Sequence, residues 1–250
     1  MSKRRYVTGL RAVEQLLSAH ADDVKRIYTE YRTANPRVEA ISAAAREHGI
    51  EVQAANRARL KQMSGEVRHQ GVVAEVTRAT LLDESGLRDL VEKRLAESER
   101  PLLLLVLDRL QDPHNLGACL RTADAAGVDA VVVPRHGAAG LGPAVSKVAA
   151  GAAETLPFAT VSNLKRVLDW LGEYGVRRVA TSDRAQKSLF DSDLGGPLAL
   201  VMGREEDGVG SALMSRCDLA VSLPMRGTVS SLNVSVATGI CLYEVLRQRR

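Results

Sequence analysis

Residues 101–117 read PLLLLVLDRLQDPHNLG. Leu102 through Leu107 form a continuous apolar run, the pattern of a central strand covered on both faces. A polar loop follows, and a helical pattern then runs over 115–126, with Asn115 a candidate N-cap. Strand, short loop and helix make the repeating unit of a parallel sheet. The unit recurs downstream. Strand patterns occupy 130–133, 178–181, 198–202 and 219–223, and helical patterns occupy 143–153, 163–174, 211–216 and 233–249. The alternation predicts an α/β fold with a mostly parallel sheet, helices on both faces, and ligands at the carboxyl ends of the strands.

Upstream, residues 1–78 alternate in shorter steps. Helical spacing covers 10–17, a strand 24–28, an alanine-rich helix 36–48 that stops at Gly49, a strand 50–52, a helix 57–63 and a buried strand 72–76. These predict a smaller α/β module. Residues 79–100 are strongly charged, helical in pattern over 87–95, and read as a linker. That leaves 101–250 as the larger domain.

At 250 residues the chain is long enough for one large domain or two smaller ones, and 45% apolar with 26% charged residues is an ordinary soluble composition. No apolar run approaches the roughly 18 residues of a membrane span. The opening MSKRRYVTG has no apolar stretch behind its basic residues, so it is not a secretory signal. Cys119, Cys217 and Cys241 are scattered, and the five histidines show no ligand spacing. Both facts suit a reducing cytoplasm and argue against a disulfide frame or a metal site. Net charge is +4, and residues 1–78 carry 14 Lys and Arg against 9 Asp and Glu. That surplus suits contact with a phosphate backbone and equally a plain solvated surface.

Three strand ends carry unusual loops. The first, Asp108 to Gly117, leads into a helix containing Arg121, six residues past Asn115 and so able to project from the site end. The second is Gly203-Arg204-Glu205-Glu206-Asp207-Gly208-Val209-Gly210, whose glycines permit close backbone approach to a ligand. Its three successive carboxylates are mostly those of a solvated turn. The third lies within 223–237, LPMRGTVSSLNVSVA. Pro224 ends a strand, Gly227 loosens the chain, and Ser230-Ser231-Leu232-Asn233 supply caps for a helix start whose free N–H groups favour an anion or polar ligand. There is no GxGxxG after the first strand and no GxxxxGK[ST], which disfavours ordinary dinucleotide and P-loop nucleotide sites.

In this order the loops resemble those of the SpoU (TrmH-like, SPOUT class) family of S-adenosylmethionine-dependent RNA ribose 2′-O-methyltransferases. The matching residues are Asp112-Pro113-His114-Asn115-Leu116-Gly117 with Arg121, then Gly203-Arg204-Glu205, then Ser230-Ser231-Leu232-Asn233-Val234-Ser235. Gly9-Leu10-Arg11-Ala12-Val13 and His69-Gln70-Gly71-Val72-Val73 carry the resemblance into the N-terminal part. Together they look like the branch that methylates a guanosine ribose of 23S rRNA in the peptidyl-transferase P loop. The resemblance implies a trefoil-knotted, parallel-sheet methyltransferase domain over 101–250, which periodicity does not show and topology rules treat as rare. It implies an L30e-like α/β domain over 1–78 that holds RNA, and a cytoplasmic homodimer with each catalytic site near the partner subunit.

The same resemblance implies S-adenosylmethionine as cofactor, held by Gly203, Leu223 and Leu232, and it implies no metal, because the cationic sulfonium already activates the methyl. The chemical residues it implies are Asn115, Arg121, Glu205, Ser230 and Asn233. Family proposals make the arginine the base. A guanidinium pKa above about 12 favours instead fixing the neighbouring phosphate and stabilising the developing alkoxide. Glu205 would orient Arg121 or accept a proton, and Ser230 and Asn233 would shape the pocket. Glu206 stands where relatives commonly have glycine, which bears on the turn after Glu205. Two other functions are open: tRNA methylation by the same family, and RNA binding without catalysis. The intact Asn115, Arg121 and Asn233 favour an enzyme, and the N-terminal module favours rRNA.

Overall fold

The computed structural model describes residues 5–65, 69–76, 81–97, 99–204 and 207–250. They fall into two compact units, Met1–Thr80 with Leu141–Thr155, and Leu81–Gly140 with Leu156–Arg250.

The first unit is built on β1 (Arg5–Thr8), α1 (Leu10–His20), β2 (Val24–Glu30), α2 (Pro36–Glu47), β3 (Glu51–Ala55), α3 (Arg57–Ser64) and β4 (Val72–Val76). The strands lie in the order β1-β4-β2-β3, with β2 parallel to β3 and β4 antiparallel to both its neighbours. Alternation sends Ile27 and Tyr28 to opposite faces. Ile27 joins Val13 and Leu16 of α1 and Ile41 of α2, whereas Tyr28 packs with Leu60 of α3 and Val73. The two sequence stretches that carried the resemblance here meet, since Leu10 N–H at the start of α1 donates to Gln70 Oε1 at 3.3 Å.

The second unit begins with β5 (Leu81–Leu82) and α4 (Glu84–Glu97), then β6 (Leu103–Leu107), α5 (Pro113–Ala125) and β7 (Ala130–Pro134). The chain visits the first unit through α6 (Pro143–Ala149) and α7 (Ala152–Thr155), then returns with β8 (Phe158–Val161), α8 (Leu164–Glu173), β9 (Arg177–Thr181), β10 (Lys187–Ser188), β11 (Leu198–Met202), α9 (Ser211–Met214), β12 (Leu219–Ser222) and α10 (Val234–Gln248). The sheet order is β10-β12-β9-β11-β6-β7-β8-β5, and each of these pairings is parallel, as the alternation of strands and helices predicted. β6 and β11 are buried at every position, which explains their unbroken apolar runs. β8, with only Phe158-Ala159-Thr160-Val161 to mark it, was not expected from the sequence, and neither was β1.

Two expectations change. The helix expected over 143–153 is split into α6 and α7, because Ala150 and Gly151 sit at positive φ of 54° and 108°. A Cβ on Gly151 would stand 1.8 Å from Gln15 Oε1, so glycine is what lets α1 close on this turn. The stretch 79–100, expected as a linker, holds β5 and α4. β5 pairs with β8, and Leu87 and Val91 of α4 are fully buried in the core with Val132, Val167 and Leu171. Their charged neighbours dominate the local composition and hide two apolar residues four apart.

Burying Leu87 and Val91 contributes about 1.5–3 kcal/mol each. A chain starting at Arg100 should therefore melt about 6–24 °C below one starting at Leu81. Equal midpoints in thermal unfolding would show that α4 adds nothing to this core.

The C-terminus is pinned. The Arg249 guanidinium donates to the carbonyls of Pro101 at 3.0 Å, Leu102 at 3.2 Å and Gly196 at 2.6 Å, and Gln248 Nε2 donates to Ser192 O at 3.0 Å. β12 lies between β9 and β10, two strands that are consecutive in sequence. Among the described residues no helix is long and apolar enough to cross a membrane, and no three His, Cys, Asp or Glu side chains gather as a metal site requires.

Candidate active site

The carboxyl ends of β9, β11 and β12 open onto a cleft of about 780 Å³, within the size range of small-molecule sites. Gly203, Leu223, Ser230 and Leu232 all line it. Four residues named from the second and third loops thus come to one place. Arg204, Asp207 and Gly208 add the second loop's turn, and Thr181 to Arg184 add the end of β9. The β9 end carries neither glycine nor a recognisable motif, and only its position at a parallel strand's carboxyl end could have marked it.

The second loop is a tight return. Arg204 N–H donates to Gly208 O at 3.1 Å and Gly208 N–H donates to Arg204 O at 2.9 Å. A Cβ on Gly203 would lie 1.9 Å from the carbonyl carbon of Gly208 and 2.1 Å from the nitrogen of Val209. Glycine is required there by the loop's own backbone, before any ligand is considered.

Asp108 ties this loop to the first. It is 4% exposed, and its carboxylate accepts from Gly210 N–H at 3.0 Å and from the Arg109 guanidinium at 3.1 and 3.2 Å. A buried carboxylate needs such partners. The same pairing holds the Arg109 guanidinium above its ordinary value. Arg109 adopts φ 54°, and it bonds back to its neighbour from that left-handed backbone. In the sequence, an acidic residue directly after a continuous apolar strand was the available sign of Asp108.

The third loop meets the first through two amides. Asn233 caps α10, its Oδ1 accepting from Ser235 N–H at 2.9 Å and from Ser235 Oγ–H at 2.6 Å, while its Nδ2 donates to Asn115 Oδ1 at 2.9 Å. Asn115 is not the cap of α5, as the sequence suggested. Asp112 is, accepting from His114 N–H at 2.9 Å, with Pro113 at the first helical position where its missing N–H costs nothing. Asn115 instead bonds across to the start of α10.

Asn233→Ala should lose both functions: about 1 kcal/mol of capping, read as a lower melting point, and roughly tenfold or more in catalytic rate from the misplaced loop. Asn233→Asp keeps the cap but turns the donor facing Asn115 into an acceptor, so it should keep the stability and still lose rate. Equal activity of both variants and wild type would remove the pair from the site.

Arg121 stands apart. It is exposed on α5 and does not line the cleft. Six helical positions place it about 120° around and about 9 Å along the helix from Asn115, so within one chain it does not share that residue's face. Glu205, and Glu206 beside it, lie outside the described residues.

Residues 102–243 match the SpoU rRNA Methylase family, and residues 6–82 match the family described as RNA 2′-O ribose methyltransferase substrate binding. The chain belongs to the SpoU rRNA methylase family. Similar SpoU relatives include the 23S rRNA (guanosine-2′-O-)-methyltransferase RlmB of Pseudomonas putida, 46% identical over 100% of this chain and 99% of that protein. The RlmB of Pseudomonas aeruginosa is 47% identical, over 100% and 98%. Among solved structures, the AdoMet-bound rRNA methyltransferase from Sinorhizobium meliloti aligns with a TM-score of 0.72 at 26% identity, covering 98% of this chain and 87% of that one. The SpoU methyltransferase AviRb from Streptomyces viridochromogenes, in complex with AdoMet, aligns at 0.74 and 25%, over 98% and 90%. The SpoU resemblance and the α/β fold expected from the sequence are both borne out.

Proposed function

We propose that this chain transfers a methyl group from S-adenosylmethionine to the ribose 2′-hydroxyl of a guanosine in 23S rRNA, in the peptidyl-transferase P loop. The observation that carries this is the cleft lined by Gly203, Leu223 and Leu232 beside the starts of α5 and α10, where Asn115 and Asn233 are joined. The full-length similarity to RlmB proteins supports the substrate.

The cleft residues suit the cofactor. Leu223, Leu232 and Val209 give an apolar wall, the strand ends give main-chain polar groups, and Asp183 and Asp207 give carboxylates for a cationic ligand. S-adenosylmethionine, when bound, supplies a methyl group made electrophilic by its sulfonium. A ribose hydroxyl is a weak nucleophile and needs help. Arg121 holds the phosphate next to it and stabilises the alkoxide as charge develops. Glu205 orients Arg121 or accepts the proton. Ser230 and the Asn115–Asn233 pair shape the ribose pocket.

The active form is a homodimer. α10 exposes Val236 at 51% and Tyr243 at 54%, seven residues apart on one stripe, as an interface helix would. Such a dimer brings Arg121 of one chain to the cleft of the other. The trefoil knot is supported by β12, which enters the sheet between two strands already joined by residues 182–186. The N-terminal module holds the RNA, and the ribosomal substrate puts the enzyme in the cytoplasm.

Mass mapping of ribose methylation in 23S rRNA from a deletion strain tests the substrate. One P-loop guanosine should lose its 2′-O-methyl group and regain it when the gene is restored. An unchanged 23S rRNA, with a site lost from tRNA instead, would overturn the reading.

A further inference from the structure

At one end of the first unit's sheet, four chain segments converge. β2 and β3 are parallel and β4 runs against them, so the carboxyl ends of the first two and the start of the third share that end. It presents Tyr31-Arg32 after β2, Asn56-Arg57 after β3, and His69-Gln70 before β4. Gln70 brings in Leu10 and Arg11 through its bond to Leu10 N–H.

Tyr31 is 63% exposed. A single exposed tyrosine is ordinary, but this one is set in a fixed frame. Its N–H donates to Ala55 O at 2.9 Å, Glu30 N–H donates to Gly71 O at 2.8 Å, and Thr33 N–H donates to Glu30 O at 3.2 Å. The Arg32 guanidinium lies over the ring, 5.3 Å from its centroid. To stand there Arg32 takes φ 56°, a left-handed backbone that a non-glycine residue adopts only at a cost and that clusters at ligand-holding sites. Arg11, Arg32 and Arg57 are all exposed, and among the described residues no carboxylate pairs with them. Arg26 and Arg37, by contrast, are held by Glu51 and Glu14.

A rigid aromatic plate braced by a guanidinium and flanked by uncommitted cations is the composition that takes an unpaired nucleotide, its base on the ring and its phosphates on the arginines. We propose that Tyr31, braced by Arg32, stacks an unpaired base of the RNA substrate, and that Arg11 and Arg57 hold the adjoining phosphates. This deepens the reading that the N-terminal module holds rRNA, and it rests on that reading. The loop end of the small sheet thereby becomes the RNA-facing end, and the contact is one of position and strandedness, with little preference among bases.

The test uses the full chain, a 23S rRNA transcript and a short oligouridylate, alone and annealed to its complement. Tyr31→Ala should weaken binding of the single-stranded oligonucleotide about tenfold and raise KM for the transcript by a similar factor, with kcat at saturating RNA unchanged. Tyr31→Phe keeps the ring and should stay within about twofold of wild type. Arg32→Gly relieves the left-handed backbone, so its melting point should not fall, yet its affinity for the oligonucleotide should. A structural role would move the two together or neither. The annealed duplex should bind Tyr31→Ala and wild type alike. Wild-type KM and oligonucleotide affinity in Tyr31→Ala would overturn the plate. Failure of the wild-type enzyme to methylate 23S rRNA at all would overturn the functional reading instead, and the oligonucleotide series would still decide the plate.

Discussion

The Arg121→Ala enzyme is expected to fold, to bind S-adenosylmethionine as wild type does, and to methylate 23S rRNA on the order of a hundredfold more slowly or worse. Lost stabilisation of roughly 3–4 kcal/mol in the transition state sets that size. The structural cost of the change is small, because Arg121 is exposed on α5 and lies outside the cleft. Single-turnover rates at saturating RNA and cofactor measure the loss, and near-normal rates would remove Arg121 from the chemistry. A mixing experiment locates the residue. If Arg121 acts on the partner's cleft, chains carrying Arg121→Ala mixed with chains carrying a ruined cleft regain activity, since each mixed dimer has one complete site. If it acts within its own chain, the mixture stays inactive.

Gly203→Val is the second large effect, and it supplies the ruined cleft. The added side chain meets the Gly208 carbonyl carbon and the Val209 nitrogen near 2 Å, where only movement of the backbone gives relief. Forcing such a return open costs about 1–3 kcal/mol and should weaken cofactor binding by about tenfold or more. Gly227→Ala is the matched control, because a Cβ there meets nothing within 4 Å. Calorimetry should show weak binding in the first variant and wild-type binding in the second. Equal affinity across all three, with each folded, would put the cofactor elsewhere.

What the sequence made legible follows a physical pattern. β6 and β11 stood out because both faces of each are buried, and α10 because Asn233 caps it. The three loops were visible because glycines, Pro113 and Pro224 mark strand and helix ends. β8 and β1 were lost because four residues carry too little alternation to count. α4 was lost because its solvated side outweighs Leu87 and Val91 in composition. Asp108 was passed over because its role depends on Gly210, about a hundred positions away, and no local pattern records that partner. Arg121 was legible as a residue and not as a place. Six positions on a helix fix its direction relative to Asn115, and that direction leaves the chain's own cleft.

The placement of β12 bears on how the protein is made. β9 and β10 leave the ribosome before β12, yet the strand between them comes later, and Arg249, after α10, fastens the assembly later still. N-terminal units generally fold first during synthesis, but the larger unit here cannot close its sheet until β12 has emerged. The cleft draws its third wall from Leu223 to Leu232, within the same late segment. A chain cut short before β12 therefore lacks Leu223 to Leu232 and with them that wall of the cleft.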